Sequence, residues 1–216
     1  MYQIERIQHS KLLEEFIVAI PESNEDDELN QYLKDNDVNV SRGSLNDVFS
    51  RFSKVIEKSN AEVIIRSTAD CPLFMPEILD QMLERFFISK CDYMSNSLKP
   101  SFPDGLDIEI FTKSAFFRLA ESELSDLQKE HVTLAFYDGT RNFKVCNFTN
   151  EVDLSSQRWT VDYIEDFEFV DRIYQKFNTK TSMKQLVDFL ESNPSFLNSR
   201  TNEYRNIALQ GVINAE

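Results

Sequence analysis

Ala61-Glu-Val-Ile-Ile-Arg-Ser-Thr-Ala-Asp-Cys-Pro72 is the stretch on which the fold turns. Ala61 to Ile65 is rich in β-branched apolar residues, and such a run suits a central strand covered on both faces. Arg66 to Pro72 has turn chemistry. Pro76 then opens a helix to about Phe87, proline being favoured in a first helical turn. Upstream, Val48, Phe49, Phe52 and Ile56 recur at helical spacing, predicting a helix from Val48 to Lys58 capped by Asn46 or Asp47. Helix, strand, turn and helix in this order form a crossover unit.

The pattern extends in both directions. Tyr2 to Phe16 reads as a helix, Phe16-Ile-Val-Ala-Ile20 as a buried strand stopped by Pro21, and Val38-Asn-Val40 as a second short strand before the Arg42–Asp47 turn. Downstream, strands are expected at Asp92–Ser95, Leu106–Phe111, Phe143–Phe148 and Arg158–Val161. Helices are expected at Lys113–Glu121 and Asp126–Tyr137, and at Ile164–Phe177 with Phe167, Val170 and Ile173 facing inward. Alternation in the first half implies an α/β fold, a Rossmann-like mixed sheet with helices on both faces. Residues 1–180 are expected to form the main domain. Residues 181–216 form a helical extension packed on it, with a helix at Met183–Glu191 and an apolar run at Ile207–Ile213.

Composition narrows the function. The 216 residues include 37 acidic and 23 basic ones, a formal charge of -14 that disfavours nucleic acid as a partner. A small nucleotide is compatible, because a metal ion and a few arginines offset its charge. Cys71, Cys91 and Cys146 form no metal knuckle or redox pair, which fits a reducing cytoplasm. No apolar run approaches the roughly 18 residues of a membrane span, so no membrane insertion is expected.

Carboxylates stand where strands end. Asp70 follows the Ala61–Ile65 strand and Asp162 follows Arg158–Val161, the position where α/β sheets bind ligands. Both residues can hold a magnesium ion against phosphates, or both can cap the helices that follow. Asp107 and Glu109 lie two apart and share a strand face, either a polar cleft wall or a solvated surface. Asp104-Gly105 is a turn, sugar-binding or ordinary. Glu130-His131 opens an apolar helical segment in which a lone histidine is ordinarily structural. Arg42, Arg51 and Arg66 lie near the functional edge, to contact an anion or to neutralise neighbouring acids.

Taken in order, several motifs form one series: Arg42-Gly43, Asp47-Val48, Arg51, Arg66-Ser-Thr-Ala-Asp-Cys-Pro-Leu73, Asp92-Tyr-Met-Ser-Asn96, Phe102-Pro-Asp-Gly-Leu-Asp-Ile-Glu-Ile110, Glu130-His-Val-Thr133 and Arg158-Trp-Thr-Val-Asp162. From about Tyr2 to Phe177 the series resembles the spore coat polysaccharide biosynthesis protein SpsF family. That family is cytidylyltransferase-like, related to the acylneuraminate and KDO cytidylyltransferases. The resemblance implies a nucleotide-diphospho-sugar transferase fold that joins CTP to an acidic sugar with Mg2+ and releases pyrophosphate. It implies Asp70 and Asp162 as metal ligands and Arg66 as a catalytic neighbour. Arg42, Arg51 and Arg66 would face the nucleotide, and Asp104, Gly105, Asp107, Glu130 and His131 the sugar.

Two departures shape the expectation. Members of the family begin with a strand and a loop of the type Ala-Arg-x-x-Ser-x-Arg-Leu-Pro-Gly-Lys, whereas Tyr2-Gln-Ile-Glu-Arg-Ile7 matches the helix after that loop. Ala69 also stands where glycine is usual. A chain without that first strand exposes a sheet edge, which Ile207–Ile213 or a second copy in a homodimer is expected to cover. The alternative expectation is a non-catalytic homologue that binds a sugar or a partner protein.

Overall fold

The computed structural model describes residues 1–201. The Ile207–Ile213 run lies outside them. The central expectation holds: Val63–Arg66 is a strand (β3), preceded by helix α3 (Val48–Lys58) and followed by α4 (Pro76–Ser89). Asp47 caps α3 by accepting the Ser50 amide at 2.7 Å. Lys90, at φ 51°, closes α4 in the left-handed conformation.

The strands form two sheets. β1 (Val18–Pro21) pairs in parallel with β2 (Val40–Gly43), which flank α2 (Asp27–Asp35) in sequence. The larger sheet has the order β3-β5-β4-β6, with β4 at Tyr93–Ser95, β5 at Glu109–Thr112 and β6 at Val145–Asn147. β5 is antiparallel to both neighbours, while β4 and β6 are parallel, so the architecture is a mixed α/β one. Two helices bridge the sheets. α3 packs on β1 and β2, and its Phe49 and Ile56 also join Tyr93, Phe111 and Phe116 over the larger sheet. α1 (Tyr2–Ile7) sends Ile4 toward Ile20, Leu33 and Val38, and Ile7 toward the main core.

That main core joins α4 to α8 (Ile164–Lys176) and α9 (Met183–Ser192) through Leu79, Leu83, Phe169, Ile173, Leu186 and Leu190. A second core, rich in aromatic rings, lies under α3, α5 (Lys113–Ala120) and α7 (Leu134–Tyr137). Among the described residues no helix is long and apolar enough to cross a membrane.

Several expected elements differ, each for a tertiary reason. α1 stops at Ile7 because Asp80 captures the Ser10 hydroxyl at 2.5 Å and the Lys11 and Leu12 amides, turning the chain away. β2 runs to Gly43, so Arg42 is in a strand and not in a turn. The segment 126–137 is broken: α6 (Asp126–Glu130) and α7 are separated by a turn in which buried Val132 has φ 51°. Residues 158–161 form only one bridge, Asp104 to Arg158, in place of a strand. Phe167 is 56% exposed, against expectation; the inward stripe of α8 is Asp166, Phe169, Val170 and Ile173.

Candidate active site

Three segments meet at the carboxyl end of β3. The Val161 amide donates to the Asp70 carbonyl at 2.9 Å, and the Thr160 hydroxyl donates to the Asp70 carboxylate at 3.1 Å. The Asp104 amide donates to Gln157 O at 2.9 Å, and the Trp159 amide to Asp104 O at 2.7 Å. Gly105 makes this approach feasible. Its φ is 98°, and a Cβ there would lie 2.4 Å from the Thr160 nitrogen. Segments 68–71, 103–107 and 157–162 therefore run side by side, and Asp70, Asp104, Gly105, Asp107 and Asp162 share one edge. Cys71 is held between Asp70 and Asp107; burial first, then these two charges, keep its thiol well above the usual range.

Neither aspartate expected as a metal ligand caps a helix. α4 has Met75 at its N-cap and α8 has Tyr163. The capping carboxylate of α8 is Asp166, which accepts the Asp162 and Tyr163 amides at 3.0 Å each. The Asp162 side chain is half exposed.

Arg158, with 6% exposure, is the hub of this edge, a role absent from the sequence reading. It donates to Asp162 at 2.6 Å, to both Asp166 oxygens at 2.8 Å and to Asp104 at 3.4 Å. Burial of Asp166 opposes its ionisation. The Arg158 and Asn198 hydrogen bonds and two amides outweigh that and hold its carboxyl at about 2. No local sequence signal announces it, because residues 158–163 are not helical and these partners meet only through the fold.

Arg66 belongs to a second network. It pairs with Glu109, which is 8% exposed and also accepts the Tyr93 hydroxyl at 2.6 Å and the Thr133 hydroxyl at 2.5 Å. Burial pulls the Arg66 guanidinium down, but Glu109 outweighs it and the net shift is upward. Burial, then Glu109, raises Tyr93 well above its usual range and pushes Tyr137 up to about 12. Glu109 is thus buried and not solvated, and Asp107, expected on the same strand face, precedes β5. Glu130 and His131 do not open a helix: Glu130 is the last residue of α6 and His131 its C-cap, whose carbonyl receives the Thr133 amide.

The other arginines differ in use. Arg42 ties the Pro21 and Ser23 carbonyls and the Asp27 carboxylate to the small sheet. Arg51 donates to Ser44 O at 2.7 Å, and burial first, then the Arg66 charge, pull its guanidinium down against Asp26. The Nε atoms of Arg51 and Arg66 are both buried without a hydrogen-bond partner among the described residues. Two such donors suit an oxyanion acceptor. Among the described residues no three His, Cys, Asp or Glu side chains gather as a ready-made metal cage.

Comparison with known proteins adds four findings. A family model described as cytidylyltransferase matches residues 1–201. An uncharacterized protein of Methanocaldococcus jannaschii is 32% identical over 202 residues, covering 92% of this chain and 82% of that protein. The spore coat polysaccharide biosynthesis protein SpsF of Bacillus subtilis is 29% identical over 197 residues, covering 89% of this chain and 81% of SpsF. Among solved structures, a cytidylyltransferase from Leptospira borgpetersenii superimposes with a TM-score of 0.87 at 32% identity, covering 94% of this chain and 87% of that one.

Proposed function

This chain belongs to the cytidylyltransferase family, and from that membership we propose that it transfers CMP from CTP to an acidic sugar during surface polysaccharide synthesis. The observation that carries the reading is the convergence of Asp70 and Asp162 at one edge, with the sugar-side segment 103–107 beside them.

Aspartate oxygens are the hard donors that Mg2+ takes. Two aspartates leave coordination positions for phosphate oxygens and water, the usual mode for this ion. Bound there, Mg2+ would neutralise the charge that develops on the phosphates. Asp70 and Asp162 would hold it, while Arg158 fixes the Asp162 carboxylate through one oxygen. Arg66 and Arg51 would offer their unmade Nε donors to phosphate. Asp104, Asp107 and the Glu130–His131 turn would order the sugar. In the reaction a sugar hydroxyl would form a bond to the α-phosphorus and lose its proton to solvent water. The bond from that phosphorus to the β-phosphate oxygen breaks, and pyrophosphate leaves.

A second reading, ligand binding without turnover, has one observation in its favour: Arg66 and Arg158 are each already paired with carboxylates. Calorimetric titration with CTP, with and without Mg2+, followed by a pyrophosphate assay with 2-keto-3-deoxy and sialic acids, separates the two. Magnesium-dependent binding with pyrophosphate release supports the enzyme. Binding of an acidic sugar without release supports the second reading. Absence of CTP binding at millimolar concentration rejects the first.

A further inference from the structure

Asp70 lies in Ser67–Met75, a loop without regular secondary structure. Such a loop leaves its own geometry undefined, yet this one is held at several points by the short helix α1. Gln3 donates its side-chain amide to the Thr68 carbonyl at 2.7 Å and to the Ser67 hydroxyl at 3.3 Å. Arg6, one turn along, is fully buried. It reaches the Phe74 carbonyl at 3.5 Å, the Asn178 and Thr181 carbonyls at 3.4 and 3.0 Å, and the Tyr174 hydroxyl at 2.7 Å. That hydroxyl donates onward to the Pro72 carbonyl at 2.7 Å, and Tyr2 stacks on the same ring at 3.8 Å.

The chemistry of Arg6 is unusual for a packing residue. Its oxygen acceptors are carbonyls and a hydroxyl, and no carboxylate among the described residues pairs with it. Burying a guanidinium without a counter-ion is costly, and an apolar side chain of similar volume packs a helix at lower cost. The compensation is geometric. A planar fork with five donors can fix several carbonyls at once, as an aliphatic chain cannot. Arg6 thereby ties Phe74 of the loop to the 178–181 segment, and with Gln3 on Thr68 and the Arg6-bonded Tyr174 hydroxyl on Pro72 the held carbonyls flank Asp70 on both sides. The opposite side of the loop is held by the Val161 amide and the Thr160 hydroxyl.

We infer that Gln3 and Arg6 are positioning residues for Asp70: α1 clamps the loop backbone so that the carboxylate is presented at the carboxyl edge in one orientation. The inference rests on the reading of Asp70 as an ion ligand. It adds that residues on a helix remote in sequence set the ligand's geometry. Outer partners that orient ligands typically matter by about tenfold or more in metal affinity.

Gln3→Met tests the clamp, since it keeps the length and removes both donors. Two measurements on the full chain decide it. In amide hydrogen exchange, the Phe74 and Val161 amides, which donate to the Cys71 and Asp70 carbonyls, should exchange about tenfold faster while α4 and α9 are unchanged, because only the local opening is affected. In CTP titration with Mg2+, affinity should fall about tenfold in the wild-type background and show no further fall in an Asp70→Ala background. Unaltered exchange at Phe74 and Val161, or an equal loss in both backgrounds, overturns the inference. If the wild-type chain does not bind CTP, the proposed function fails by itself and the exchange rates alone decide the clamp. Should Gln3→Met fail to fold, Gln3→Glu keeps the shape, places an acceptor against the Thr68 carbonyl, and carries the same expectations.

Discussion

Asp166 shows how a single carboxylate links stability to the candidate site. It is fully buried, accepts from Arg158, Asn198 and two backbone amides, and its carboxyl is held at about 2, below the ordinary 3.8. A depressed carboxyl contributes stability that is complete above its unfolded value and is lost as pH falls through the folded one. The window is therefore from about pH 4 down to about pH 2, and the contribution is on the order of 2 kcal/mol. Asp166→Asn should flatten that acid limb and destabilise the protein at neutral pH by about 3–5 kcal/mol, because Arg158 is left buried with weaker partners. Urea unfolding of both proteins from pH 7 to pH 2 measures both effects; parallel curves would reject the assignment. Gly105 makes a different demand. Gly105→Ala puts a Cβ 2.4 Å from backbone and keeps a positive φ, so about 2 kcal/mol or more should be lost. Since backbone cannot rotate away, segment 103–107 must part from 157–161. A melting temperature equal to wild type would show that the two segments do not pack this closely.

At the scale of elements, the informative place is the break between α6 and α7. Asp126 to Tyr137 reads as one helix because its apolar residues keep helical spacing, and α6 has a full capping box at Ser125 and Gln128. What interrupts it is the Thr133 hydroxyl bond to Glu109, 24 positions away. That bond holds Val132 at φ 51°, which costs a β-branched residue about 1–3 kcal/mol. The strain sets a sign that contact counting would miss. Val132→Ala removes buried methyl groups and keeps the unfavourable φ, whereas Val132→Gly removes slightly more volume but is at ease there. Val132→Gly is therefore expected to be the more stable of the two by roughly 1 kcal/mol. The reverse order in chemical denaturation would mean that the turn is not strained. The same logic explains α1 and α8. Asp80 ends the first helix from 70 positions away, and the buried Asp166 rotates the second so that Phe167 points outward.

For the whole molecule, legibility follows sequence separation. β3, α3 and α4 are readable because their signals, an apolar run, a capping aspartate and Pro76, are local. Asp70 is readable as a strand-end position, whereas Asp104, Asp107 and Asp162 come beside it only through the pairing of segments 103–107 and 157–162, which form no regular strand there. Glu109, Tyr93 and Thr133 are not readable, since one buried acceptor collects donors from β3, β4 and the α6–α7 turn. Arg158 likewise gains its role only when segments 103–107 and 162–166 fold against it. Global charge is the property that needs no fold at all. A net charge of -14 spread over a compact particle repels itself, and folding brings those charges closer than the unfolded chain does. Salt screens exposed charges over a distance of about 10 Å at 0.1 M, but hardly reaches a pair as enclosed as Arg158 and Asp166. Raising NaCl from 10 to about 150 mM should therefore raise the melting temperature, the relief of repulsion exceeding the loss at exposed pairs such as Lys184–Asp188. Asp166→Asn should show the same salt increment from its lower starting point. A melting temperature that falls with salt would mean that exposed ion pairs, and not net repulsion, dominate the electrostatics of this fold.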